Sequence, residues 1–338
     1  MTVTEIAKRA GVSIGTVDRV LHDRGRVSEA TRNRIRAIIE EEGYQPNPLA
    51  RHLKRNRGYQ LGILIPGLEG ESRYWRLMYD AIVRAAASFS VFSIETKLYP
   101  FERPDRFSLD AAYQAMLDSG CDGYIIAPVM QEETLVLLSE RPPAVPYCII
   151  DSPLPGAHGV TTIAQDPFRG GFLAGRVMEF LSASEGPFAV VRPYTEAFNL
   201  NERARGFTAW FSGNPKVEII DLVCPENHES GMLAILDRTL NERPAIQGFF
   251  AVSSVGHVVA ERVYRRGMKD GRKIIGYDLV PENVECLRDG RIDCLISQRP
   301  EEQGRIAVTQ LYRNIVLEER TDPEIAMPLD IFFKENLV

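Results

Sequence analysis

From Gln60 onward the chain alternates short β-rich runs with helical stretches, and this alternation limits the fold more than any other feature. The strand-like runs are LGILIPG (61–67), IETKLYP (94–100), DGYIIAP (122–128), YCIID (147–151), VTTIAQD (160–166), FAVVRP (188–193), VEIIDLV (217–223), IQGFFAV (246–252), KIIGYD (273–278) and CLISQRP (294–300). Helical stretches fall between them, at about 74–88, 108–119, 168–181, 201–211, 231–240 and 256–266. Strands alternating with helices predict parallel sheets. Continuous apolar runs predict sheets covered on both faces. So many strands exceed one comfortable sheet, so the pattern predicts two lobes. Ligands in such sheets bind outside the carboxyl ends of the strands. The polar residues at those ends are Asp151, Asp166, Arg192, Ser253, Asp278 and Gln298.

Enzyme and cofactor signatures are missing from this frame. There is no Walker lysine motif, no G-x-G-x-x-G and no G-x-S-x-G. The cluster Gly170-Gly171-x-x-x-Gly175 follows a strand and opens a helix, which fits tight helix packing better than a phosphate site. The cysteines, Cys121, Cys148, Cys224, Cys286 and Cys294, are scattered without a Cys-x-x-Cys, and the histidines show no metal-ligand spacing. No cofactor, metal or catalytic set is expected.

Residues 1–59 are different. Residues 1–57 carry 12 Lys/Arg against 7 Asp/Glu, a net charge of +5, which leaves −11 for the rest of a chain whose total is −6. A basic head on an acidic body suits a polyanion partner for the head. Thr4 and Glu5 are suited to open a first helix, with Ile6, Ala7 and Ala10 on one face. Gly11 supplies a turn and Val12 a core contact. Ser13 is suited to cap a second helix from Ile14 to about His22. Its Val17, Val20 and Leu21 share one side, while Gly15, Asp18, Arg19 and His22 share the other. Ser28 is suited to cap a third helix, with Ala30, Ile35, Ile38 and Ile39 inward and Gly43 as its stop. Two helices joined through a Gly turn make either a helix-turn-helix, whose second helix enters the major groove, or a helical hairpin with a polar outside. In the first case Arg19 reaches a guanine edge and Thr16 a phosphate or base.

The linker PNPLARHLKRNRG (46–58) reads as a very short helix. Asn47 is a good cap and Pro48 a good first residue, with Leu49 to about Lys54 as the body. Barely two turns do not hold alone in water. The nearby cations make the DNA backbone one candidate support. Leu49 and Leu53, spaced i, i+4, instead allow docking on the body.

The wording of the head is more specific than its periodicity. Ile6-Ala7, Ala10-Gly11-Val12-Ser13, Thr16-Val17, Arg19-Val20-Leu21, Val27-Ser28, Thr31-Arg32, Tyr44, Pro46 and Ala50-Arg51-x-Leu53 occur in order. They closely resemble the headpiece of the LacI/GalR family of bacterial transcription regulators. The resemblance implies DNA contacts from Thr4, Ser13, Ile14, Gly15, Thr16, Asp18, Arg19, His22 and Ser28. From the hinge helix it implies contacts from Asn47, Ala50, Arg51, Leu53 and Lys54. Leu53 matches the leucine that wedges into the minor groove and kinks the duplex. Asp18 departs from the family's usual Ser; it repels phosphate and accepts from a cytosine amino group.

Residues from about 60 to 330 resemble, more loosely, the type I periplasmic-binding-protein fold carried by these regulators, nearest the ribose-binding branch. The resemblance places an effector against Tyr74 and Trp75, with Ser72 beside them, and against Asp151, Arg203 of the R-x-x-G-F pattern, Ser253, Asp278 and Gln298. For Trp75 core packing is the plainer alternative, and for Asp278 a helix cap. Ser253-Ser254 stands where the family often has Asn-Asp, and Met130 where it often has Asp. Those losses, with Arg192 and Arg203, shift the pocket from a standard pentose toward a carboxylated or phosphorylated ligand.

The expected fold is an all-α three-helix helix-turn-helix headpiece followed by an α/β two-lobed type I periplasmic-binding-protein-like domain with parallel sheets. Expected boundaries are 1–45 for the headpiece, 46–58 for the hinge and 59–338 for the effector and dimerisation domain. Within the latter, an N-lobe takes about 59–164 and 299–323, and a C-lobe about 165–298 and 324–338. The implied function is a non-enzymatic repressor, a homodimer on double-stranded palindromic operator DNA, answering to a sugar-like or sugar-acid effector. The opening MTVTEIAKRAGVS lacks a signal peptide's apolar region, so a cytoplasmic, nucleoid-associated protein without membrane contact is expected. No leucine heptads follow Leu329, so no tetramerising tail is expected. A solute-binding protein for sugar uptake and a sugar-modifying enzyme are the alternatives.

Overall fold

The computed structural model describes residues 2–21, 25, 27–44, 57–69, 73–182, 186–193, 197–224 and 229–337. The chain forms two compact units, Met1–Asn56 and Arg57–Val338. Helices and strands are numbered below in chain order.

The first unit holds α1 (Val3–Ala10), α2 (Ile14–Leu21) and α3 (Glu29–Glu41). The cap of α1 is Thr2 rather than Thr4. The Thr2 hydroxyl accepts from the Glu5 amide, and the Glu5 carboxylate accepts from the Thr2 amide at 2.7 Å. That reciprocal pair satisfies two orphan donors at once, which no partner three residues after Thr4 offers. Thr4 lies exposed in the first turn. The Ser13 hydroxyl accepts from the Thr16 amide at 3.2 Å and the Ser28 hydroxyl from the Thr31 amide. Gly11 (φ 63°) and Gly43 (φ 58°) close α1 and α3 in the left-handed region that glycine tolerates. Ile6, Ala7, Ala10, Val17, Val20, Ile35 and Ile38 form the core, with Val12, Leu21, Ile39 and Tyr44 packed against it. Ala30 is exposed rather than inward. Five residues before Ile35 it sits about 140° around the helix from that side chain. Arg9 ties α1 to the end of α3 through Glu41 at 2.7 Å and through Glu42.

The second unit has two sheets. The first contains β1 (Tyr59–Pro66), β2 (Ile94–Phe101), β3 (Gly123–Ile126), β4 (Tyr147–Asp151), β5 (Thr161–Ala164) and β11 (Glu324–Ala326), in the order β11-β5-β4-β3-β1-β2. The second contains β6 (Phe188–Pro193), β7 (Ile219–Cys224), β8 (Gly248–Ala251), β9 (Lys273–Tyr277), β10 (Cys294–Ser297) and β12 (Asp330–Phe332), in the order β12-β10-β9-β8-β6-β7. The pairs are parallel except β10 with β12. The two orders are the same pattern used twice, so β4 and β9 occupy equivalent places. All ten strands expected from the alternation form.

Helices α4 (Tyr74–Ser88), α5 (Arg106–Leu117), α6 (Gln131–Glu140), α7 (Pro167–Leu181), α8 (Phe198–Phe211), α9 (Glu229–Glu242), α10 (Gly256–Arg265), α11 (Pro281–Arg288) and α12 (Pro300–Ile315) cover the sheets. The second sheet carries a core on each face, one around Leu236, Phe249 and Val259 and the other around Phe207, Phe250 and Tyr277. The expected helix packing at Gly171 is severe: a Cβ there would lie 1.8 Å from the Arg203 carbonyl oxygen. The glycine cluster therefore seats α7 against α8.

The chain crosses between the sheets at 165–166, 298–299 and 327–329. The last crossing differs from the expected boundary at 324, because Glu324–Ala326 pairs with β5 and stays in the first lobe. Strands of three residues are too short to show a period, so β11 and β12 were not anticipated, nor were α6, α11 and α12. The α12 helix packs on α4 so closely that a Cβ at Gly304 would lie 2.9 Å from the Met78 carbonyl oxygen. No helix among the described residues is long and apolar enough to cross a membrane.

Candidate functional site

The two aspartates at the equivalent strand ends define the site. Asp151 closes β4 with φ 70° and Asp278 follows β9 with φ 65°. Both are buried, and both hold a backbone conformation that aspartate adopts at a cost. Asp151 is gripped from both lobes. Tyr74, the first residue of α4, donates its hydroxyl to Asp151 Oδ1 at 2.7 Å. Asn199, in the first turn of α8, donates Nδ2 to Asp151 Oδ2 at 3.0 Å. Asp278 takes both donors of Gln298, the backbone amide at 3.1 Å and Nε2 at 2.9 Å.

Between them lies Arg203, 1% exposed. Its Nη1 donates to the Val252 carbonyl at 2.9 Å, and its guanidinium sits 3.8 Å from the centroid of the Tyr277 ring. Gly171 lets the backbone of α8 approach α7 at that residue and so sets the depth of Arg203. Burial pushes the Asp278 carboxyl up to about 6, with Arg203 and the Gln298 donors pulling it down and Asp151 pushing it up. Burial, then the charges of Asp151 and Asp278, holds the Tyr74 phenol well above its ordinary value, so it stays a donor.

Tyr74, Trp75, Arg103, Asp151, Asn199, Leu200, Arg203, Ser253, Ser254, Asp278 and Gln298 enclose about 30 Å³. Sites that bury a small ligand run to ~300 Å³ or more. The cleft is thus closed, and the Asn199–Asp151 bond is its zipper. Arg73 and Glu282 meet across the same cleft at 3.3 Å. Three buried polar atoms of the lining make no hydrogen bond: Arg203 Nε, Ser253 Oγ and Gln298 Oε1. Orphaned buried groups are costly, so their gathering in one cleft points to a ligand that satisfies them when the lobes part.

The structure brings together Tyr74, Trp75, Asp151, Arg203, Ser253, Asp278 and Gln298; Ser72 lies outside the described residues. Trp75 both packs in the first-lobe core and lines the cleft, edge-to-face with Tyr74 at 5.0 Å. Asp278 is no helix cap, since α11 starts from Val280 without a side-chain cap. Arg192 does not reach the cleft. It pairs with Asp221 at 2.6 Å and Asn201 at 2.7 Å, because Asp221 lies two residues from its register partner Val223 on β7 and so on the same sheet face. Asp166 caps α7 through the Arg169 amide. Met130 is buried in the first-lobe core. Sequence reasoning missed Arg103, Asn199, Leu200 and Gln303. Asn199 was findable, being four residues before Arg203 and so on its helix face.

In the first unit Ser13, Ile14, Gly15, Asp18 and Arg19 lie exposed at and along α2, with Thr16 half-buried among them. Ile14 is 52% exposed, an apolar side chain left on the outer face. That face is separate from Val17 and Val20, which are in the core, as groove entry requires. His22, Asn47, Ala50, Arg51, Leu53 and Lys54 lie outside the described residues. The second unit begins at a fixed point. Arg57 pairs with Asp122 at 3.0 Å, and a Cβ at Gly58 would lie 2.3 Å from the Ser93 carbonyl oxygen.

Residues 62–319 match the family model of a periplasmic binding protein domain, and residues 2–47 match bacterial regulatory proteins of the lacI family. The HTH-type transcriptional repressor PurR of Proteus mirabilis is 31% identical over 178 residues, 52% of this chain and 50% of that protein. The HTH-type transcriptional regulator AscG of Escherichia coli is 34% identical over 127 residues, 38% of this chain and 37% of that protein. The chain thus spans about half the length, or less, of the curated relatives it matches. A solved structure from Bacteroides fragilis, assigned to the LacI transcriptional regulators, is similar with a TM-score of 0.75 and 27% identity, covering 83% of this chain and 98% of that chain. An ABC transporter solute-binding protein from Agrobacterium vitis, bound with α-D-tagatopyranose, shares the fold with a TM-score of 0.73 at 20% identity, covering 82% of this chain and 95% of that chain. The body has the type I periplasmic-binding-protein fold, and the chain belongs to the periplasmic binding protein domain family, with a lacI-family regulatory module at its head.

Proposed function

We propose that the chain is a sequence-specific DNA-binding transcription regulator of the LacI/GalR type, a repressor, whose operator affinity is set by a small molecule held between its lobes. The observation that carries this reading is the pairing of a lacI-type head, its α2 face exposed from Ser13 to Arg19, with a body whose cleft gathers three orphaned polar atoms. The +5 head adds the phosphate attraction that operator binding uses. Two chains on a palindromic operator, in the cytoplasm and on the nucleoid, complete the picture. Leu53 wedges the central base step, and Thr4, Ser28, Asn47, Ala50, Arg51 and Lys54 hold the backbone.

In the body, the indole face of Trp75 and the polar set Asp151, Arg203, Ser253, Asp278 and Gln298 suit a sugar or sugar derivative, in the manner of the ribose-binding branch. A ligand acts only through different affinities for open and closed lobes, typically ~1–3 kcal/mol of coupling. Shared fold with transport proteins favours a solute-binding reading for the body alone, but a basic DNA-type head has no use there. Turnover of a bound sugar would instead support an enzyme.

The test has two arms. DNA selected from a random pool by the full chain yields a two-fold-symmetric site, and Arg19→Ala weakens that site about tenfold or more, within the ~1–3 kcal/mol expected of a bidentate base contact. A thermal-shift screen of sugars, sugar acids and sugar phosphates finds a stabilising ligand that changes operator affinity. Selection without any enriched sequence sinks the regulator reading; a ligand set without polyols sinks the sugar reading.

A further inference from the structure

One side chain joins all three crossings between the sheets. Gln165 lies in the first crossing, 3% exposed, and its Nε2 donates to the Ser297 carbonyl at 2.8 Å and to the Pro328 carbonyl at 2.6 Å. Ser297 ends β10 at the start of the second crossing, and Pro328 lies in the third. Two acceptors on one nitrogen settle which way the amide faces, and they leave Gln165 Oε1 buried without a hydrogen bond. A second buried glutamine holds the next carbonyl. Gln303 Nε2 donates to the Gln298 carbonyl at 2.9 Å, while its Oε1 accepts from the Asp151 amide at 2.8 Å. The peptide groups on both sides of Gln298 are thus gripped by glutamine amides, and Gln298 in turn spends its own two donors on Asp278.

We propose that Gln165 is the positioning residue of the lobe pivot: it makes the three crossings turn as one unit and sets the placement of Gln298 against Asp278. Three separate backbone segments each have their own soft dihedrals, and left alone they allow twisting and sliding as well as hinging. A shared donor that bonds two of them from the third removes that independence. Opening then becomes a rotation about one point next to the cleft floor. Gln303 cannot serve in the same way, because both of its bonds stay within the first lobe and the second crossing.

Hydrogen exchange of the full chain, read by mass spectrometry, tests this on Gln165→Met and Gln165→Glu, which keep the length of the side chain and lose its N–H donors. The expected result is exchange about tenfold faster in all three segments 161–167, 294–300 and 324–330, with β1, β3 and β4 of the first sheet and β6, β8 and β9 of the second unchanged. Faster exchange confined to 161–167, no change, or a uniform rise through both sheets overturns the proposal; the last would show a merely structural role. Should neither variant fold, the wild-type chain labelled with ¹⁵N-glutamine decides. A Gln165 carboxamide, assigned by its contacts to Pro328, must exchange slowly, and exchange at the solvent rate overturns the proposal.

Discussion

Gly171→Ala isolates the packing that sets Arg203. The added methyl would sit 1.8 Å from the Arg203 carbonyl oxygen, 2.6 Å from its carbon and 2.8 Å from its Cα, where ordinary contact starts at 3.4 Å. All three atoms are backbone, so no side chain can swing aside, and α7 and α8 must part locally by about 1.5 Å. Overpacking of this kind costs ~1–3 kcal/mol, and more where backbone must move. Alanine returns about 1 kcal/mol of helix propensity. The parting helices also loosen Phe207, which is fully buried about one turn beyond Arg203, the residue that Gly171 meets. Taking the upper end of that range, because the atoms met are backbone, leaves a net loss of about 2 kcal/mol, or about 4–8 °C in melting midpoint for a body of this size. Gly213→Ala is the control, since a methyl there meets nothing within 4 Å. Differential scanning calorimetry of the full chain reads both. A Gly171→Ala midpoint equal to that of Gly213→Ala would refute the claim that this glycine seats the two helices.

Other outcomes follow from the same geometry. Asp278 has its folded pKa raised to about 6 by burial, so its contribution to stability is present below the ordinary carboxyl range and is lost as pH rises through 6. Relative to Asp278→Asn, wild type should therefore lose about 3 kcal/mol between pH 3 and pH 7, and urea melts showing a flat difference would contradict it. Ser28→Ala removes the cap on the Thr31 amide and should cost the head about 1 kcal/mol, seen as faster amide exchange in the first turn of α3. Arg192→Ala should leave any effector's affinity unchanged, because Arg192 faces Asp221 and Asn201; a tenfold loss in calorimetric titration would place it in the cleft after all.

Sequence by itself determined the local events. The ten central strands were legible because both-faces burial writes continuous apolar runs, and the second and third helices because Ser13, Ser28 and Gly43 are local signals whose partners lie within a few residues. The head's cap moved from Thr4 to Thr2 because a reciprocal bond with Glu5 outweighs a single one. Seven of the cleft residues were nameable as well, by strand-end position or by family wording.

Only the tertiary structure decided which of those groups act together. Arg192 and Arg203 look alike in the sequence, yet one is drawn to an edge-strand aspartate and the other is seated by Gly171 in the cleft. Asn199 meets Asp151 across 48 positions of chain, and Gln165 meets Pro328 across 163. No period or motif encodes such pairs. They arise because two copies of one sheet pattern are joined by three crossings of the chain, which brings the carboxyl ends of β4 and β9 to one place.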